Sequence, residues 1–249
     1  MEDFFLTYYL IHLKTLFIVL LLYSFICNRK NNRKNNTISI EAGIGVGKTT
    51  LLNLLREKDS KYNIILEPLK DWISIYCDNE DNNILSLLYN DMDRWAYTFQ
   101  SNAFITRIQK IKNEKKSNKI NITERSILSD FYIFAKMLYD DGKMNQIEWK
   151  LYNNWFKWLS NTFNENPSKI IYLRCDPQIS FDRIHKRNRN EEKQISYEYI
   201  EKLHRYHDDW LLNKTNDNNI PVVVIDVSAD FENNPVELKR IMQIISNVC

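Results

Sequence analysis

The 249-residue chain has little cysteine, little glycine and almost no net charge. Its four cysteines, Cys27, Cys77, Cys175 and Cys249, form no C-x-x-C pair. Their spacings match neither a zinc site nor a disulfide framework, so free thiols in a reducing compartment follow. A formal net charge of +2 excludes the broad basic surface that nucleic-acid binding requires. Even that excess is local. Lys14, Arg29, Lys30, Arg33 and Lys34 precede residue 37 with only Glu2 and Asp3 against them, and the remainder carries 29 basic and 30 acidic residues. Internal repeats are absent. What is present suffices for a core: 44% apolar and 13% aromatic residues, in a length that allows one large domain or two small ones.

One long apolar run occurs, residues 4–27, interrupted only by His12 and Lys14. Its length can span a bilayer. Lys14 would cost about 2.5–3.5 kcal/mol at mid-helix, which the run 16–26 should offset. The basic linker 28–36 that follows would stay cytoplasmic and leave the rest of the chain on that side. A cleaved signal peptide fits less well, because charge should precede the apolar core and no small-x-small site follows it. A membrane anchor, a targeting segment and an erroneous gene start stay open. A simple late start does not resolve the matter, since the next methionine is Met92, beyond the motif described below.

From residue 37 onward, short β-branched runs alternate with helical patterns. The runs are 37–41, 63–67, 119–123, 169–173 and 221–226, and helical spacing is clear in Trp95, Phe99, Ala103 and Arg107. Such alternation predicts an α/β domain over 37–249, with five parallel strands and helices on both faces. Sheets of this kind bind ligands beyond the C-terminal ends of their strands. Strand two there runs into Glu67-Pro68, and strand three into Glu124-Arg125-Ser126.

Between the first strand and the next helix lies AGIGVGKTT, residues 42–50. It matches the phosphate-loop template G-x-x-x-x-G-K-[ST] except that Ala42 holds the first glycine's place. In such a loop successive backbone N–H groups point at phosphate oxygens at a helix N-terminus. Gly43, Ile44, Gly45, Val46, Gly47, Lys48, Thr49 and Thr50 are therefore the candidate nucleotide-binding residues. Lys48 would reach the β- and γ-phosphates, and the Thr49 hydroxyl would hold Mg2+. Alanine at 42 costs nothing if φ is negative there and on the order of 1 kcal/mol if it is positive.

Five further stretches agree with this loop: EPLKDW (67–72), residues 87–108, residues 124–149, RIHKRNRNEE (183–192) and residues 199–212. In order and spacing, residues 37 to about 231 resemble the deoxynucleoside kinases, nearest the deoxycytidine and deoxyguanosine kinase branch. The resemblance implies a phosphate-loop kinase fold with an arginine-rich lid, and ATP-dependent, Mg2+-assisted phosphorylation of a deoxynucleoside 5′-hydroxyl in nucleotide salvage. It places Glu67 as general base, Arg125 on the 5′-oxygen and phosphates, and Glu124 on the metal. Arg183, Arg187 and Arg189 fall in the lid, and Asp230 and Phe231 in the loop against the donor's base. Tyr89 and Glu192 would bind the 3′-hydroxyl, Gln100 the nucleobase, and Trp72, Phe99 and Phe134 would wall base and sugar. Arg107 and Asp130 match a charged pair at the far, base-edge end of the pocket, which favours deoxycytidine or purine deoxynucleosides over thymidine, and Ala103 beside them leaves room for a purine. A homodimer and a cytoplasmic or mitochondrial location complete what is implied; the resemblance does not reach residues 1–36, and tethering through residues 4–27 rests on the apolar run alone.

Read singly, the remaining aromatics Trp95, Trp149, Trp155, Trp158 and Trp210 belong to the core or to helix packing. His204 and His207, i and i+3 on one helix, lack a third ligand and read as structural. Three other readings compete, one of them a membrane-tethered protein whose apolar segment is its main business. A nucleoside monophosphate kinase would need a further basic subsite, and Glu67 in the base position argues against it. A non-catalytic accessory subunit with a kinase fold conflicts with intact Lys48, Thr49, Glu67 and Arg125.

Overall fold

Runs rich in isoleucine and valine pay little to extend and much to stay exposed, so they form strands, most deeply buried at the centre of a parallel sheet. The computed structural model describes residues 36–77, 82–213 and 219–249. Its strands are β1 (Thr37–Glu41), β2 (Tyr62–Ile65), β3 (Ile120–Glu124), β4 (Lys169–Arg174) and β5 (Val222–Asp226). All pair in parallel in the order β2-β3-β1-β4-β5. The five strands fall where the β-branched runs lie. Strand two is the one that differs in a way that matters: it ends at Ile65, so Glu67 lies in the loop beyond it and is free of the ladder.

The helices are α1 (Lys48–Lys58), α2 (Leu69–Ile73), α3 (Ile84–Asn90), α4 (Met92–Glu114), α5 (Ile127–Ser129), α6 (Lys136–Asp140), α7 (Gln146–Phe163), α8 (Pro177–Arg187), α9 (Tyr197–Leu211) and α10 (Pro235–Val248). On one sheet face, Ile38 and Ile40 of β1 pack with Leu51, Leu52 and Leu55 of α1 and Ile241 and Ile245 of α10. On the other, Ile170 and Tyr172 pack with Phe104 and Ile108 of α4, Tyr152 and Phe156 of α7 and Trp210 of α9. This is the α/β phosphate-loop kinase architecture, with both faces covered. The chain runs outward from β1 to β2, returns to β3 and then crosses to β4. That reversal puts the crevice at the C-terminal ends of β1 and β3.

Not every tryptophan is interior. Trp210 is buried, but Trp155 and Trp158 on α7 are 50% and 57% exposed, which corrects their reading as packing residues. The apolar run 4–27 and nearly all of the linker 28–36 lie outside the described residues. Among those described, no helix is long and apolar enough to cross a membrane.

Candidate active site

The loop after β1 turns through two left-handed glycines, Gly45 (φ 80°) and Gly47 (φ 104°). A side chain at either would collide, at 2.3 Å from the Ser180 carbonyl and 2.8 Å from the Phe231 ring respectively. Gly43 has no such conflict within the chain, its nearest neighbour lying 3.6 Å away. Ala42 keeps φ negative and is fully buried, so its methyl group costs nothing in the turn. Gly47 caps α1, whose first residue is Lys48. The Lys48 ammonium is turned back onto the carbonyls of Ala42 (3.2 Å) and Gly43 (2.8 Å). Burial, and then the charge of Arg125, lower its pKa to about 7.

Beside the loop a chain of acids and arginines is fixed by contacts between distant elements. Thr49 Oγ1 donates to Glu124 Oε1 at 2.5 Å, and the Glu67 N–H donates to Glu124 Oε2 at 3.3 Å. Arg125 Nη1 donates to both Glu67 carboxylate oxygens at 2.6 Å, and Arg107 Nη2 adds a third bond at 2.8 Å. Arg107 also grips Asp130, through Nε at 2.7 Å and Nη2 at 3.1 Å, and the Glu124 carbonyl at 2.9 Å. Burial works against ionisation of Glu67, but Arg125, Arg107 and Lys48 outweigh it and hold its pKa down to about 2. Burial likewise opposes the charge on Arg107, and Asp130 and Glu67 overcome it and raise its pKa. The expected Arg107–Asp130 pair thus forms. It does not stand apart at the far end of the pocket, however, because Arg107 also touches Glu67.

These groups open onto a cavity of about 500 Å³. Its wall contains every residue expected at the nucleoside: Glu67, Trp72, Tyr89, Phe99, Gln100, Ala103, Arg107, Arg125, Asp130, Phe134 and Glu192. It also contains Ile44, Gly45, Lys48, Thr49, Glu124, Arg187 and Arg189. Trp72 is pinned by its indole N–H to Thr106 Oγ1 (2.9 Å) and meets Phe99 edge-on at 5.3 Å. Phe134 lies under the Arg125 guanidinium at 4.8 Å. Asp130 and Phe134 belong to a π-helical stretch, Asp130–Ala135, between α5 and α6, a wide turn often found at functional positions.

Other expected residues lie elsewhere. Gly43, Val46, Gly47 and Thr50 belong to the loop and the first turn of α1 but not to the cavity wall. Arg187 and Arg189 reach the wall while bonded to Glu192, at 2.5 and 3.4 Å. Arg183 does not reach it. Its guanidinium ties α8 to the carbonyls of Val46, Val227 and Ser228 at 3.0–3.2 Å. Asp230 closes a turn onto the N–H groups of Glu232 and Asn233, and Phe231 is buried against Gly47. His207 is fully buried, stacks on Tyr172 and has its pKa lowered by burial to about 3, in keeping with a structural histidine. Among the described residues no cluster of three or more metal-binding side chains of His, Cys, Asp or Glu forms. Two residues went unmarked in the sequence. Tyr199, whose ring meets that of Tyr89 at 6.2 Å, lines the cavity. Glu41, at the end of β1, is wholly buried. A strand-end acid carries no motif of its own, so only burial singles it out.

Known proteins are similar to this chain over most of its length. The deoxynucleoside kinase family model matches residues 38–249. The chain is 40% identical over 213 residues to the "probable deoxycytidine kinase" of fowlpox virus (strain NVSL), covering 85% of this chain and 86% of that one. It is 39% identical to the mitochondrial deoxyguanosine kinase of Xenopus laevis over 220 residues, 79% of this chain and 83% of the relative. Deoxycytidine kinase 2 of Gallus gallus is 35% identical over 235 residues, with coverages of 84% and 89%. A phosphate loop, a paired-arginine carboxylate and an enclosed aromatic cavity thus stand in a chain whose similarity runs through nearly the whole described domain, and the chain belongs to the deoxynucleoside kinase family.

Proposed function

We propose that residues 37–249 form a kinase domain that moves the γ-phosphoryl group of ATP to the 5′-hydroxyl of deoxycytidine or a purine deoxynucleoside, with Glu67 as the base. The observation that carries this is the position of Glu67. Its carboxylate sits between the phosphate loop and the aromatic cavity, with Arg125 on one side and Arg107 on the other. A hydroxyl entering the cavity meets an ionised acceptor at that point. A carboxylate with a pKa of about 2 is a weak base, but phosphoryl transfer proceeds through a loose transition state that asks chiefly for positioning and charge. Glu67 then orients the hydroxyl and takes its proton as the new bond forms. Arg125 steadies the 5′-oxygen and the transferring group. Lys48 leaves the Ala42 and Gly43 carbonyls for the β- and γ-phosphates, and Arg187 and Arg189 exchange Glu192 for phosphate oxygens. That release leaves Glu192, with Tyr89, available to the sugar 3′-hydroxyl.

The Thr49 hydroxyl and the Glu124 carboxylate are hard oxygen donors placed together, a set that suits Mg2+, which is held by few protein ligands plus phosphates and water. When bound there, Mg2+ neutralises charge on the phosphate oxygens. Gln100, Arg107 and Asp130 read the base edge, and the buried charged pair disfavours thymidine, whose edge would leave it unmatched.

A homodimer is supported by one face of α7. Ile147, Leu151, Trp155 and Trp158 follow one another at helical spacing and are 71%, 44%, 50% and 57% exposed. Ile105, on the neighbouring α4, is 49% exposed. Contiguous apolar surface of this kind marks an interaction site, and a two-fold dimer covers it with a second copy of itself. The run 4–27 keeps its three readings, anchor, targeting segment or erroneous gene start, and the location stays with it.

The test is transfer of labelled γ-phosphate by the full chain to the four deoxynucleosides in parallel. Deoxycytidine and the purine deoxynucleosides should be labelled well and thymidine least, and Lys48→Ala should abolish transfer with an unchanged melting temperature. Thymidine ranking first would overturn the choice of substrate. Near-normal turnover by Lys48→Ala would overturn the role of the loop.

A further inference from the structure

Glu67, Glu124, Asp130 and Glu192 face the cavity and have partners, and Glu41 does neither. It is the last residue of β1, it has no exposed surface, and neither carboxylate oxygen accepts a hydrogen bond. The hydroxyls of Ser39, Ser126 and Ser129 surround it, close enough to pull its pKa down but short of hydrogen-bond geometry. Ser129 instead donates to the Ser126 carbonyl at 2.8 Å. Burial dominates and raises the pKa of Glu41. A carboxyl group buried without hydrogen bonds is costly, and the parallel sheet has no use for one, since an apolar side chain would fill the same space.

The matching defect lies on Arg125. Parallel pairing sets Ile40 opposite Glu124, so Glu41 comes beside Arg125, whose N–H donates to the Ile40 carbonyl at 3.0 Å. Arg125 is held at φ 62°, a left-handed conformation that a long side chain adopts at a cost, and such strain collects where a side chain must be aimed. Its Nη1 serves Glu67 and its Nη2 the Ala42 carbonyl at 3.2 Å. Its Nε is buried with no partner. An unpaired donor on the arginine and two unpaired acceptors on the glutamate therefore occupy one buried region, and the two charges attract. Arg107, the other arginine on Glu67, has a second acid of its own in Asp130. Among the described residues Arg125 has no second ion pair of that kind: Glu124 also attracts it, and Glu41 is the buried acid beside it whose carboxylate oxygens are unpartnered.

We propose that Glu41 is a positioning residue for Arg125, a second carboxylate that keeps the guanidinium aimed at the reacting oxygens once the 5′-hydroxyl shares Glu67 with it. This rests on the catalytic reading of Arg125 given above. Glu41 touches neither substrate nor nucleotide, so its effect passes through Arg125 alone. The consequence falls on turnover rather than on nucleoside affinity.

The test is a double-mutant cycle in the full chain with Glu41→Gln, Arg125→Ala and the two combined, reading kcat, KM for deoxycytidine and melting temperature. Glu41→Gln keeps the shape and removes the charge. It should lower kcat about tenfold to a hundredfold, the range of one charge-assisted contact, with KM within about threefold of the parent. The combined variant should be no slower than Arg125→Ala alone, because the route of action is already gone. Glu41→Asp should recover part of the loss, and it serves as the single variant if Glu41→Gln does not fold. Multiplicative losses in the cycle, as a purely structural acid would give, overturn the proposal, and so does a Glu41→Gln enzyme with parental kcat. Normal turnover by Arg125→Ala would instead refute the catalytic reading of Arg125, and this proposal with it.

Discussion

Replacing Arg107 by methionine and Asp130 by alanine together tests both what the pocket recognises and how recognition is wired to chemistry. The side chains of Arg107 and Asp130 are only 4% and 3% exposed, so neither charge can find water if its partner is removed. Arg107→Met alone strands Asp130 and should cost about 3–5 kcal/mol of stability, whereas removing both charges should cost far less. Two kinetic effects then separate. At the base edge the pocket becomes larger and apolar, so thymidine should gain in kcat/KM while deoxycytidine and the purine deoxynucleosides lose. Discrimination by buried polar groups reaches ~10⁴-fold, which leaves a wide range in which partial relaxation is measurable. At Glu67 the bond from Arg107 Nη2 at 2.8 Å disappears. A hydrogen bond to a charged group contributes about 1.5–3 kcal/mol, so kcat should fall about tenfold to a hundredfold for every nucleoside, thymidine included. Asp130→Ala alone keeps Arg107 on Glu67 and should shift the ranking with a smaller loss of kcat. The assay is labelled phosphate transfer to four deoxynucleosides with kcat and KM resolved. An unchanged ranking in the double variant would refute the base-edge reading, and an unchanged kcat would refute the link from Arg107 to Glu67.

Glu67→Gln should keep nucleoside affinity and lower kcat by ~10²-fold or more, as loss of a general base does; weakened binding with intact turnover would make Glu67 a positioning residue instead. His207 stays neutral in the fold down to about pH 3, while in the unfolded chain it takes up a proton below its ordinary 6.5. Stability should therefore fall as pH drops below 6.5, by about 1.4 kcal/mol per unit from this group, or about 2 kcal/mol by pH 5. In His207→Gln denaturant titrations over pH 5–7 should lose that part of the slope, and an undiminished slope would assign it to other groups. Trp155→Glu with Trp158→Glu should convert a dimer to monomer in sedimentation with little change in melting temperature, since both side chains are exposed within the protomer. A parent chain that sediments as a monomer would rule the α7 face out as the dimer interface.

Much of this protein is decided by local chemistry, and that part is legible residue by residue. Extended β-branched runs place the five strands. The left-handed turns at Gly45 and Gly47 exclude side chains, so the glycine pattern of the phosphate loop is a statement about backbone geometry. Helical spacing puts Phe99, Ala103 and Arg107 on one buried side of α4. What the sequence could not decide are relations between elements. Glu67 and Arg125 are 58 positions apart, and their ion pair exists because β2 and β3 lie side by side and end at the same level. The third arm of Arg107 depends on how α4 crosses that end, which no spacing along the helix encodes. Arg183 sits in a basic run indistinguishable from its neighbours Arg187 and Arg189, yet packing directs it onto three carbonyls of two loops rather than into the cavity. Trp155 and Trp158 have the same periodicity as core residues, and only the absence of an element over that side of α7 within the described domain leaves them exposed. Glu41 is the sharpest instance. Nothing in its sequence context marks it, and only tertiary packing removes it from water and brings the charge of Arg125 to bear on it.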